Sequence, residues 1–185
     1  MFLDIGLGIF AALGVSARWG VPLTFWFAVV GAVFALLPDL DFIAVVLRRR
    51  NALHHREGLH YPLLFVPIGT LACWYFGGAW AMLFALASLG HFIHDSIGIG
   101  WGVQWLYPFS KDHYSFFYVY KPRWRAERLP RRWFYIWKHD EIDALDARYG
   151  DPDWIRNIYF RWHPYAVAEF VVFLVALLLL FRNLL

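Results

Sequence analysis

Three short stretches of this 185-residue chain gather side chains able to hold a cation. The first is Leu37-Pro38-Asp39-Leu40-Asp41. The second runs from Asn51 through His54, His55, Arg56 and Glu57 to His60, and the third is His91-Phe92-Ile93-His94-Asp95. Neutral imidazole and ionised carboxylate are the ligands of zinc and related divalent ions, so metal binding is the chemistry these residue types share. His91 and Asp95 stand four residues apart and share a face if the segment is helical, with His94 on the same arc. Each stretch alone has a plainer account: a solvated helix end for Asp39 and Asp41, surface histidines for His55 and His60, and a helix-pairing hydrogen bond for His91 and Asp95. Two facts weigh against it. Carboxylates are unfavourable at the negative end of a helix dipole unless a cation compensates, and three ionisable groups within five residues of an apolar run are expensive. A second His-x-x-x-Asp pair, His139 and Asp143, reads more simply as the polar face of a peripheral element, although it could supply further ligands. Asp112 and His113 are ambiguous in the same way, and His163 beside Pro164 reads as interfacial.

The elements that must position these residues are apolar. Hydrophobic residues make up 61% of the chain, against roughly 45–50% in soluble domains. The 11 Trp, 10 Tyr and 18 Phe suit the two membrane-water interfaces. Five apolar stretches stand out, at 2–17, 21–37, 61–76, 79–99 and 165–181, separated by Arg18-Trp19-Gly20 with Pro22 and by the Gly77-Gly78 reversal. The first is the least certain span, and the first three are short for the ~20 residues a membrane helix needs. Of 17 Lys and Arg, 15 fall in the loop after the second stretch or between Lys111 and Arg161. Basic residues accumulate in cytoplasmic loops, so five spans would give a cytoplasmic N-terminus and an outer C-terminus. The expected fold is therefore an all-α polytopic membrane helical bundle of about four to five transmembrane helices. Its expected divisions are a membrane-embedded metal-site domain at 1–109, a cytoplasmic interfacial segment at 110–164 and a C-terminal transmembrane helix at 165–185. The interfacial segment interleaves bases with rings, as in Arg131-Arg132-Trp133-Phe134-Tyr135-Ile136-Trp137-Lys138. Such a composition suits anionic headgroups; single-strand nucleic-acid binding is the competing reading, set aside because the chain is already embedded in lipid. Cys73 is the single cysteine, which excludes a disulfide framework or a Cys-based zinc site. The first residues lack a basic n-region and cleavage site, so the N-terminus is expected to be retained.

Counted down from Gly78 at 1.5 Å per residue, His91 lies about 20 Å and Asp95 about 25 Å along, near the inner boundary of a ~30 Å core. All three stretches thus meet at one depth. The ordered motifs Leu-Pro-Asp-Leu-Asp, His-Arg-x-x-x-His and His-x-x-x-Asp, followed by Gly100 and Leu106-Tyr107-Pro108-Phe109, resemble the YdjM-type family of LexA-regulated, inner-membrane predicted metal-dependent hydrolases over roughly residues 30–115. The resemblance implies that Asp39, Asp41, His55, His60, His91 and Asp95 form the metal site. Where the family commonly has Gly and Thr, this chain has Glu57 and Leu59, and Tyr61 replaces a Ser; the ligands stay in place. A His-x-x-x-Asp pair on a helix is also loosely similar to zinc-dependent phospholipase C and related nucleases, which favours phosphoesters. Six candidate ligands exceed what one tetrahedral ion uses, so two ions, or one with a wide outer shell, are expected, with zinc or manganese as the expected metal. Asp39 or Asp95 would act as general base and Arg56 would clamp a phosphate oxygen. The expected substrate is a lipid-like phosphoester at the cytoplasmic face of the inner membrane, with membrane lipids as partners and no protein or nucleic-acid partner. A divalent-metal transporter and a non-enzymatic membrane scaffold are the alternatives.

Overall fold

A computed structural model describes residues 2–41, 58–118, 129 and 132–185. The chain is mostly helical there, and each apolar stretch carries a helix. These are α1 (Phe2–Trp19), α2 (Phe25–Leu36), α3 (Pro62–Trp74), α4 (Gly78–Asp95) and α6 (Pro164–Leu184). The short α5 (Ile142–Tyr149) lies between the last two. Local sequence sets the ends. Thr24 caps α2 by accepting from the Phe27 amide at 3.1 Å, Pro62 and Pro164 occupy first-turn positions that need no N–H donor, and Gly77, at φ +114°, turns α3 into α4. A 3-10 turn, Leu37–Asp39, extends α2.

The helix α1 packs against α2, α4 and α6, α2 also packs on α4, and α3 lies along α4. Small residues permit the tightest approach. A Cβ on Gly8 would strike the Gly31 carbonyl, and one on Gly31 the Gly8 carbonyl, so α1 and α2 cross backbone to backbone. Around this crossing Ile9, Ala12, Val15, Ala28, Ala35, Leu83, Ala87 and Ala176 are buried. α1 and α6 are long and apolar enough to cross a membrane; Phe25–Asp39 and Pro62–Trp74 are shorter apolar helices. Large rings are exposed where α1, α2 and α3 point away from Asp4, Asp39 and His60: Trp19, Trp26, Trp74, Tyr75 and Phe76.

The segment after α4 departs from the all-α expectation by forming a small sheet. β1 (Ile97–Gly98) pairs parallel with β2 (His113–Tyr118), which pairs antiparallel with β3 (Phe134–Trp137), Ser115 opposite Tyr135. The reason is period-two patterning: Tyr135 and Trp137 point inward to join Trp101, Leu129 and Ile142 in a second core, while Phe134 and Ile136 stay exposed. Within it Trp137 Nε1 donates to Ser115 Oγ at 2.8 Å. Gly102, at φ +80°, lets the preceding loop lie against the Tyr114 carbonyl, where a Cβ would clash.

Candidate metal centre

Asp39, His60, His91 and Asp95 converge because α2, α3 and α4 alternate in direction. α2 runs into Asp39, His60 stands just before α3, and α4 runs back to His91 and Asp95. The Nε2 atoms of His60 and His91 face each other at 3.2 Å. Asp95 Oδ2 lies 3.2 Å from His60 Nε2 and 3.7 Å from His91 Nε2. Asp39 Oδ1 lies 3.9 and 3.8 Å from the same two nitrogens. For bonds of about 2.0–2.1 Å, ligand atoms of a tetrahedral ion stand about 3.3–3.4 Å apart, so these separations bracket what one divalent cation needs. Asp39, His60 and His91 alone form a group whose ligand atoms all lie within 4.8 Å of one another.

The opposite edge of each imidazole fixes its orientation. His60 Nδ1 donates to Asp41 Oδ2 at 2.7 Å, and His91 Nδ1 donates to Asp4 Oδ1 at 3.1 Å. With both protons on Nδ1, both Nε2 lone pairs point into the same space, an arrangement that needs a cation or a proton between them. A carboxylate behind each ligating histidine is the usual means of setting tautomer and basicity at metal sites. The donor set therefore fits a divalent metal ion.

Burial tends to lower the pKa of His60, but its hydrogen bonds to Asp41 and Asp95 outweigh that, and it is raised to about 9. The side chains of His60 and His91 are 0% and 1% exposed, whereas that of Asp39 is 39% exposed, so the centre opens on the Asp39 side.

A second layer ties the centre to the terminal helices. Asp4 Oδ1 also accepts from His94 Nδ1 at 2.7 Å, and His94 Nε2 donates to Glu169 Oε1 at 3.2 Å. Tyr159, in the π-turn before α6, donates to Glu169. Burial, followed by the Glu169 charge, holds its phenol well above the usual value. Asp4 and Glu169 are both buried in apolar helices.

Asp39, His60, His91 and Asp95 thus come together. Asp41 reaches the far nitrogen of His60 rather than the cation space, and His94, though on the arc of His91, turns toward Asp4 and Glu169. His55 and Arg56 lie outside the described residues. His113 and His139 stack on each other in the small sheet, and His163 caps α6 by accepting from the Tyr165 amide. Asp4, Glu169 and Tyr159 are functional candidates that motif reading passed over. Their only signal is that each carboxylate stands in the first turns of an otherwise apolar helix, at the depth of the motifs.

Helices, exposed rings and a buried His/Asp centre together define a helical membrane protein with a candidate cation site. The chain belongs to the YdjM inner membrane protein family, whose model matches residues 4–183. That span contains every residue of the centre, Asp4 and Glu169 included. Searches of curated proteins and of solved structures each returned no match.

Proposed function

We propose that the protein is a membrane-bound, metal-dependent hydrolase acting on an amphiphilic phosphoester at the cytoplasmic face of the inner membrane. One observation carries this reading: two imidazoles, each backed by its own carboxylate, aim Nε2 at a single point that Asp39 and Asp95 also reach. A structural ion pair does not need that convergence. His60, His91, Asp39 and Asp95 would hold the ion, while Asp41 and Asp4 would hold the histidines. When bound, a divalent cation polarises a phosphoryl oxygen and lowers the pKa of water toward ~7. Asp39, the most open carboxylate of the four, serves as general base in this reading through the oxygen not engaged on the ion, with Asp95 as the alternative. Arg56 contributes the planar fork that matches a phosphate.

Depth supports the lipid-like substrate. In this reading α1, α2, α3, α4 and α6 are four to five spans; the 18 residues of α1 and of α4 reach about 27 Å at 1.5 Å per residue, close to a ~30 Å core. Among the described residues, Asp4, Asp39, His60, His91 and Asp95 stand at one end of these helices and the Trp19, Trp26 and Trp74 rings at the other, as two interfaces require. The 15 basic residues between Arg48 and Arg161 support a cytoplasmic position for the site end. A transporter would place its ligands nearer the midplane.

The test is a phosphate-release screen with zinc or manganese, in detergent and in liposomes, over lipid phosphates, diphosphates and phosphodiesters. Wild type should release phosphate and Asp95→Asn should lose several orders of magnitude. Equal release by both would refute the hydrolase, and metal flux into proteoliposomes would then favour a transporter.

A further inference from the structure

A second histidine pair lies in the small sheet, apart from the centre. His113 opens β2 opposite Trp137, and His139 follows β3 by two residues. A salt bridge from Lys138 Nζ to Asp112 Oδ2 at 2.7 Å holds the two strand ends together. The rings lie nearly parallel, at 6°, with His113 Nε2 and His139 Nδ1 3.5 Å apart. The side-chain amide nitrogen of Gln104, a residue 1% exposed, sits 3.0 Å from His113 Nε2 and 3.2 Å from His139 Nδ1. An amide NH2 has only donors, so both ring nitrogens present lone pairs to the same spot. Gln104 Oε1 meanwhile is buried with no hydrogen-bond partner. Buried carbonyl oxygens seldom go unused, and the opposite amide orientation would orphan the NH2 instead.

We propose that His113 Nε2, His139 Nδ1 and Gln104 Oε1 form a second transition-metal site, separate from the His60 and His91 centre. A separation of 3.5 Å between two ring nitrogens matches about the 3.4 Å edge of a tetrahedral ion with bonds of about 2.0–2.1 Å. The Gln104 NH2, 3.0 and 3.2 Å from the two ring nitrogens, stands about one ligand edge from each, and half a turn about the last side-chain bond would bring Oε1 there as third ligand without moving backbone. Two neutral imidazoles and a carbonyl oxygen suit zinc, copper(II) or nickel rather than magnesium or calcium. The ion clips the loop carrying Gln104 to both strands of the hairpin.

The test uses the full chain in detergent, stripped with chelator and titrated with zinc, followed by elemental analysis and far-ultraviolet dichroism to check the fold. His139→Ala should bind one equivalent fewer than wild type while keeping the dichroism spectrum. Gln104→Glu, which puts a carboxylate oxygen in place of the amide, should tighten that equivalent at least tenfold, and this readout stands even if His139→Ala does not fold. The same zinc stoichiometry in folded His139→Ala and wild type, or a Gln104→Glu isotherm superimposable on wild type, would overturn the proposal. His91→Ala acts on the other centre and leaves this equivalent in place, so failure of one site is told apart from failure of the other.

Discussion

Replacing Asp4 by asparagine separates holding a histidine from holding a metal. The Asp4 carboxylate is 1% exposed and accepts from His91 Nδ1 at 3.1 Å and His94 Nδ1 at 2.7 Å through the same oxygen. Asparagine keeps the shape and one carbonyl oxygen, so both contacts can persist. It removes the negative charge that makes His91 Nε2 a stronger ligand. Loss of such a supporting carboxylate typically costs about 10–100-fold in metal affinity, or about 1.4–2.7 kcal/mol. Asp4→Asn should therefore keep the stoichiometry of the centre and weaken it by that factor. His91→Ala, which removes a ligand, should abolish binding there. The assay is competition for zinc between chelator-stripped protein in detergent and an indicator of known affinity. If folded Asp4→Asn loses the equivalent outright, Asp4 is itself a ligand; if its affinity stays within a factor of about three of wild type, Asp4 does not tune the centre. Either result refutes the division drawn between the two layers.

Four further outcomes follow. His60, raised to about 9 without a cation, is protonated at pH 7.5, so zinc binding there should release a proton and tighten as pH rises toward 9, read by calorimetry in buffers of different ionisation enthalpy. In the metal-free protein the same shift stabilises the fold fully below the unfolded value of about 6.5, and that stabilisation is lost as pH rises through the folded value, which thermal melts across pH 6–10 should show. Gly8→Ala should cost about 1–3 kcal/mol of stability in detergent, because its methyl meets the Gly31 carbonyl, and should weaken zinc binding since Asp4 lies one turn away on α1. Cysteine labelling in intact cells should find positions 51 and 127 protected and positions 78 and 185 reactive from outside; labelling at 127 would reverse the orientation and move the site to the other face.

How much could be read from sequence depended on distance along the chain. His91 and Asp95 share one helical turn, and Asp39 and His60 flank consecutive apolar stretches, so spacing was enough to suggest a meeting. Asp41 stands two residues from Asp39, yet its role turns on which nitrogen of His60 it meets, a matter of ring orientation that spacing does not encode. Asp4 and Glu169 lie 87 and 75 residues from their histidine partners. Nothing local distinguishes a lone carboxylate in an apolar helix that will be paired from one that merely sits at an interface. Helices were legible because apolar runs of this length have one economical structure in lipid. The hairpin was hidden by composition: rings and bases around Phe134-Tyr135-Ile136-Trp137 suggested a headgroup-layer element, and the alternation of inward Tyr135 and Trp137 with outward Phe134 and Ile136 was the signal that pointed to a strand.

The most direct measurement is anomalous diffraction from crystals of the protein grown with zinc, recorded on both sides of the zinc absorption edge. We expect a peak about 2.0–2.1 Å from the Nε2 atoms of both His60 and His91, with Asp39 and Asp95 on its remaining sides. Density for those four side chains with no anomalous peak among them, in crystals where zinc is bound elsewhere on the chain, would contradict a metal centre at this site.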